Sequence, residues 1–519
     1  MAHSIKSASA PRQLIIGLDS MEWELVAKWT AAGKMPALAR LMREGMPARM
    51  TSATDRFPEP VWNYMCSGLG PAYFARYFDV QHDPATGGMR YMAGDWPGAK
   101  YFWDHLSDAG RRVVVIDAPQ VNASPGLNGI QLQWGIHAGR TPRFSSPDSM
   151  LHDADRRFGR HPVGKCDSMA TGGARLELRR RLLDGVRAHG AMFRHYATQG
   201  EWDTMVAVFS EAHCAGHIFW HDMDPSHPRH DPDDPHQIAD AMEDVYRAID
   251  HEVGKVIEAA GSETRIYVVS AQGSGPLYHA SWNLPAMLDA WGYGALSSRN
   301  RHLSDNRKYN FNLVQTLRKL VPRSIHAAID RRLPDRMRHE LLFRFYRDDR
   351  SWERCRAFAV PNSPGVGAIR INLKGRDLHG IVEPGVEYDE IVKEICTALA
   401  ELNDPISGRP LVKSVSRVQR ELRGPYLDRL PDITAQWDMS FPWNAVSSMR
   451  IGIMQLRGTD FHSGSHTGNG FLLATGIGIA KGGSITDASI YDVAPTILHD
   501  AGLNAPAECE GRALLPNCC

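Results

Sequence analysis

Short, almost wholly apolar runs alternate along this chain with longer stretches of helical periodicity. Residues 13–18 (QLIIGL) form the first such run and end at Asp19. A run this short and this uniformly apolar predicts a strand buried on both faces, as in a parallel sheet. Three more follow: Arg112–Ile116 (RVVVI), Thr204–Ser210 (TMVAVFS) and Arg265–Ser270 (RIYVVS). Between the first two, Met21–Glu44 offers Trp23, Val26, Ala27, Leu38 and Leu41 to one helical face, with Pro36 placed to break it in two. Leu176–Tyr196 and Ile238–Ala260 predict two further helices. Strand–helix alternation of this kind predicts an α/β fold, a doubly wound, mostly parallel sheet sandwiched by helices.

The pattern changes after residue 296. Residues 297–350 are rich in Arg, His and Lys, with amphipathic helical spacing and no strong strand, which predicts an inserted helical cap that could act as a lid. Residues 366–373 and 410–419 predict further strands, with a helix over Glu387–Leu402. Gly470–Ala474 predicts a late strand and residues 489–501 a helix after it. No internal repeat or long linker interrupts the chain. The expected organisation is one α/β core formed by 12–296 and 351–515, the 297–350 insert, and short tails at 1–11 and 516–519.

Composition narrows the function classes. Lys+Arg and Asp+Glu are both 59, so bulk charge gives no reason to expect a nucleic-acid partner. No run approaches the roughly 18 apolar residues of a membrane helix. The first dozen residues lack an apolar stretch, so a cytoplasmic protein without a secretory signal is expected. The 8 cysteines form no CxxC pair, which predicts thiols rather than a disulfide framework.

In parallel sheets ligands sit beyond the carboxyl ends of the strands. That directs attention to Asp19, Glu211–His217, Ala271–Gln272 and the segment before the late strand. His213 and His217 are spaced i, i+4, so on a helix they share one face and can chelate one metal. His466, in HSGSHTGNG, could complete a three-His set. Asp19 fits either a metal ligand or a helix N-cap. Arg370, Lys374 and Arg376 fit either ordinary turn charges or contacts to an anionic substrate. His221, His227, His230 and His236 fall in a Pro- and Asp-rich stretch that reads as a surface loop, with a further metal site as the sharper alternative.

Ordered landmarks carry a family resemblance. LIIGLDSMEWELVAKW, PVWNYMCSGLGP, FSEAHCAGHIFWHDMDPSHP, IYVVSAQGSGP, AIRINLKGRDLHGIVEPGVEYDEI, YLDRLPDITAQW, SGSHTGNGFLLATG and SIYDVAPTILHDAGL occur in sequence over roughly residues 12–515. The set resembles the type I phosphodiesterase/nucleotide pyrophosphatase branch of the alkaline phosphatase superfamily. That resemblance implies an alkaline phosphatase-like core and two metals, commonly zinc, flanking a Thr or Ser nucleophile. Asp19, His217 and His466 match family ligands. Other positions depart from the pattern. His213 stands where the family has Asp, and Ala271–Gln272 replace the Asp-His of S-D-H-G. Pro58 falls at the nucleophile position, leaving Thr54, Ser52 or Asp55 to supply an oxygen from a rearranged loop. The family's His-Gly after T-G-x-x-P is missing from Tyr73–Phe78.

These residues predict one metal rather than two, held by His213, His217 and His466 with Asp19 beside them. Three imidazoles with an open position suit a catalytic zinc that carries water, although iron or manganese fits as well. Glu211 or Asp19 could orient the water or act as base, and Thr54 is the candidate hydroxyl. The expected activity is metal-dependent hydrolysis of a phosphoester, phosphonate or sulfate ester, with a small anionic substrate and neither nucleic acid nor membrane as partner. The alternatives are non-hydrolytic metal chemistry on the same scaffold and a non-catalytic binding role.

Overall fold

A computed structural model describes residues 11–92, 98–135, 142–164, 173–199, 201–235, 238–278, 280–294, 352–456 and 462–515. Nine strands make the main sheet: β1 (Arg12–Leu18), β2 (Met46–Thr51), β3 (Val113–Ile116), β4 (Gly129–Gln133), β5 (Phe144–Ser146), β6 (Thr204–Phe209), β7 (Thr264–Ser270), β8 (Asn469–Gly476) and β9 (Ile485–Ser489). Their spatial order is β9–β2–β8–β7–β1–β6–β3–β4–β5. Only β8 and β5 run against the rest, so the sheet is mostly parallel.

The apolar runs become strands because each feeds two cores at once. Leu14, Ile16 and Leu18 of β1 pack on one face while Ile15 packs on the other. Met205, Ala207 and Phe209 of β6 alternate in the same way with Val206 and Val208. The first face is covered by Trp23–Ala31, Pro36–Glu44, Ala174–Thr198, Glu211–Met223 and Ala241–Ala260. Val61–Ser67, Phe102–Asp108 and Val493–Asp500 cover the second. Pro36 does divide the first helical stretch, taking the first-turn position of the second helix, where its missing N–H costs nothing.

The strands expected near 366 and 410 do not join the main sheet. Val366–Ile371 and Val412–Arg417 lie with Ala357–Ala359 and Ile433–Trp437 in a separate four-stranded antiparallel sheet. The helix Val386–Ala400 packs on it and shares its core through Ile391, Ile395 and Leu399. A two-stranded ribbon, Gly273–Pro276 with Gly464–Thr467, pairs Ser274 with His466 close to the carboxyl end of β7. The helix expected over 489–501 starts as a 3-10 turn, Ile490–Asp492. The 297–350 cap, His236 and both tails, Pro11 apart, lie outside the described residues. Among the described residues no helix is long and apolar enough to cross a membrane. Cys66, Cys355, Cys396 and Cys509 are free thiols, and among the described residues Cys214 alone is disulfide-bonded.

Candidate metal centre

β6 ends at Phe209, and the helix Glu211–Met223 begins two residues later with its first turn over the carboxyl edge of the sheet. His213 and His217 lie one turn apart on it. The ribbon strand Gly464–Thr467 is clamped to the same helix: Ser463 N–H donates to the His217 carbonyl at 2.8 Å. This brings His466 to the pair, and the ring nitrogens of His213, His217 and His466 gather within 4.8 Å of one another. His213 and His466 stack with centroids 5.1 Å apart, and His217 meets His466 edge-on at 4.9 Å.

Hydrogen bonding aims the nitrogens. His217 Nδ1–H donates to the Gly464 carbonyl at 2.8 Å, which leaves a lone pair on Nε2. That Nε2 faces His213 Nε2 at 3.0 Å. Two ring nitrogens at this distance need a proton or a cation between them. His466 Nδ1 lies 3.3 Å from Ser20 Oγ. The three residues fit one divalent cation in chemistry and in orientation.

Asp19 is a neighbour of this group and not a helix cap. The cap of Trp23–Ala31 is Glu22, whose side chain accepts from Glu24 N–H. Asp19 Oδ1 accepts from Trp62 Nε1–H at 2.8 Å, and its Oδ2 stands 3.7 Å from His213 Nδ1. Ser20 takes up a left-handed φ of 56°, a strained conformation for a serine, to face His466. Gln272 Nε2–H donates to Ser20 Oγ at 3.2 Å, so this side chain supports the site from behind. Ala271 is fully buried in the core behind the sheet. Pro58 is buried and offers no hydroxyl. Thr54 sits on the 3-10 turn Ala53–Asp55, packed on the ribbon strand that carries His466. A Cβ on Gly468 would stand only 3.1 Å from Thr54 Oγ1, and this hydroxyl is buried without a hydrogen-bond partner among the described residues.

Glu211 does not join the three histidines. It is two residues from His213, and positions i and i+2 on a helix point to opposite sides. Its Oε1 lies 2.7 Å from His189 Nδ1 and 3.1 Å from His161 Nε2 in a fully buried cluster of its own. Burial there opposes ionisation, but the two histidines overcome it and hold the carboxyl well below its ordinary range. A base role on water at the three-His group is therefore withdrawn. Arg370, Arg376 and Lys374 are committed to the fold as well. Arg370 binds Asp377 and two backbone carbonyls while buried, Arg376 chelates Asp432, and Lys374 pairs with Glu383. Of the histidines expected in a surface loop, His221 instead lies in the helix Glu211–Met223, where it faces Arg175 and Ser463 Oγ, and His227 is buried against Tyr278. They form no metal-holding group among the described residues.

One neighbour was missed from the sequence. His462 stacks on His217 with centroids 4.3 Å apart and planes inclined by 17°. The available signal was spacing, since His462 and His466 repeat the separation of His213 and His217.

The model of the family described as type I phosphodiesterase / nucleotide pyrophosphatase matches residues 13–447. No curated protein matches the chain. Among solved structures it is similar to human ectonucleotide pyrophosphatase / phosphodiesterase 5, at 12% identity over 96% of this chain and 97% of that one, with a TM-score of 0.50. The murine counterpart is similar at 13% identity, over 95% and 96% of the two chains, with a TM-score of 0.49. Phosphonoacetate hydrolase from Sinorhizobium meliloti 1021, in complex with phosphonoformate, is similar at 15% identity, over 95% and 96%, with a TM-score of 0.48. Identities this low speak to the fold alone.

Proposed function

Since the chain belongs to the type I phosphodiesterase / nucleotide pyrophosphatase family, a family of hydrolases, we propose that it is a phosphoester or phosphonate hydrolase working through one divalent cation, zinc by first choice. The observation that carries this reading is the convergence of His213, His217 and His466, with His217 Nδ1 tied to the Gly464 carbonyl and its Nε2 facing His213 at 3.0 Å. When bound there, the cation supplies Lewis-acid stabilisation of charge on the substrate and lowers the pKa of a nucleophilic oxygen.

The protein's own residues do the rest. Asp19, fixed by the Trp62 indole, places negative charge beside the His213 ring and is positioned to take a proton. Thr54 offers a hydroxyl with no hydrogen-bond partner among the described residues, for attack or for orienting a phosphoryl oxygen. Ser20 and Gln272 hold His466 in place. With Ala271 unable to ligate and Gln272 turned to Ser20, a second family-type metal has lost its Asp-His pair. That same loss favours the second reading, non-hydrolytic metal chemistry on this scaffold.

The test is a panel of p-nitrophenyl phosphate, bis-p-nitrophenyl phosphate, a phenylphosphonate ester and p-nitrophenyl sulfate, run with metal analysis. Turnover of a phosphorus ester, abolished by EDTA and in His217→Ala and His466→Ala, is expected. Bound metal with no turnover of any ester refutes hydrolysis and leaves the second reading.

A further inference from the structure

On the other side of the same helix start, four ionisable side chains meet at the carboxyl ends of β3 and β6. They are Asp117, His161, His189 and Glu211. We propose that His161, His189 and Glu211 bind a second divalent cation, structural and sealed from solvent, with Asp117 behind His189.

The geometry is that of a closed site. One ligand atom from each of the three lies within 4.8 Å of the others. His189 and Glu211 are completely buried and His161 is 5% exposed. His189 Nε2 sits 2.7 Å from Asp117 Oδ2, the carboxylate–histidine pairing that orients a metal-binding imidazole from its far nitrogen. Asp117 is itself fixed by the Gly135 N–H at 3.0 Å. Two glycines make the approach possible: a Cβ on Gly185 would stand 2.7 Å from the His161 ring, and one on Gly135 would stand 2.9 Å from His189 Nε2.

Charge argues the same way. Among the described residues no lysine or arginine pairs with either carboxylate, and Glu211 Oε2 is buried without a hydrogen-bond partner. Val163 N–H donates to His161 Nδ1 at 3.1 Å, so that ring is neutral when its Nε2–H points to Glu211. Both His189 nitrogens face carboxylates, so a dication seated at Nδ1 sends that nitrogen's proton to solvent while Nε2–H stays on Asp117. His161 moves its proton from Nε2 to Nδ1 in the same step and gives up the Val163 bond. Such a cation ties two strand ends to the helices Ala174–Thr198 and Glu211–Met223, and so fixes the first turn that presents His213.

The test uses full-length protein without a polyhistidine tag, stripped with chelator, reloaded with Zn²⁺, desalted and analysed by ICP-MS. The expected result is one zinc equivalent in the doubly substituted His213→Ala/His466→Ala protein, lost when His161→Gln is added. No zinc in the folded double variant overturns the proposal. If the triple variant fails to fold, zinc-edge anomalous density in crystals of the double variant decides: a peak between His161 and Glu211 supports the site, and a peak elsewhere refutes it. The two readings fail separately. One wild-type equivalent that survives the double variant upholds this site and sinks the three-His centre, and one equivalent lost in the double variant does the reverse.

Discussion

A methyl group added at Gly17 should disturb the metal centre from within the sheet. Gly17 lies in β1, which is paired on both sides by β6 and β7, so its backbone cannot retreat. A Cβ there would stand 2.4 Å from Trp62 Cη2 and 2.7 and 2.9 Å from the two Val208 methyls. The indole must move, and its Nε1–H is what holds Asp19 at 2.8 Å. Gly→Ala alone would stabilise by about 0.4–1 kcal/mol through the unfolded chain. Overpacking costs about 1–3 kcal/mol. Loss of a buried hydrogen bond to a carboxylate costs about 1.5–3 kcal/mol more. Gly17→Ala should therefore destabilise by about 2–5 kcal/mol on these figures. Trp62→Phe removes the same bond and the ring edge that the methyl meets. In that background Gly17→Ala should lose about 1–3 kcal/mol of its effect, since neighbouring residues that share one contact do not add. Urea unfolding of wild type, both single variants and the double variant measures the coupling. Additivity within about 0.5 kcal/mol would falsify the idea that the indole wedges between Gly17 and Asp19.

Three further outcomes are expected. Thr54→Val should leave thermal stability unchanged, because the hydroxyl has no hydrogen-bond partner among the described residues, yet lower kcat on the best ester at least about 100-fold if that hydroxyl serves the reaction; unchanged kcat removes Thr54 from the site. Lys374→Ala should leave KM within about twofold, whereas Arg376→Ala should cost roughly 3–5 kcal/mol by stranding buried Asp432, and a raised KM in the folded Lys374 variant would restore the substrate-contact reading. Burial and then Arg229 and Arg175 push His221 down to about 3, while burial and Arg229 push His227 down to about 4. Both are therefore neutral in the fold but titrate near 6.5 when unfolded, so the unfolded chain binds more protons in between. Their contribution is complete above about pH 6.5 and lost as pH falls towards 4. Melting curves across that range should fall less steeply in His227→Gln than in wild type, and equal slopes refute the assignment.

The main sheet was legible because its strands leave little room for ambiguity. Apolar runs such as QLIIGL have both faces to bury, and only a sheet covered on both sides does that. Strand ends came within one residue of the structure at Arg12–Leu18 and Thr204–Phe209. The four-stranded lobe was not legible as a separate sheet. Val366–Ile371 is buried along its whole length like a strand of the main sheet, and nothing local says which sheet a strand will join. At the site, i, i+4 spacing on a helix brought His213 and His217 together, and the Gly-rich ribbon delivered His466. Glu211 follows the same strand end but was not legible as belonging elsewhere, because two residues of helix turn a side chain to the opposite face. The cluster with His161, His189 and Asp117 assembles from four separate segments, so no local pattern could announce it.

The three histidines and the residues after β7 are held in different ways. His213, His217 and His466 belong to a helix and a ribbon strand bonded to each other through Ser463 and Gly464, so they keep their geometry together. Ala271 and Gln272 stand at the end of β7. Ala271 now adds to the apolar core against the sheet, and Gln272 hydrogen-bonds Ser20, which in turn faces His466. A carboxylate at residue 271 would be buried among apolar side chains, and without its metal that costs several kcal/mol. Placing a ligand at residue 271 by one substitution therefore carries that burial cost. With residue 271 in the packing and Gln272 supporting the three histidines, a single cation at those histidines is the proposal that this arrangement favours.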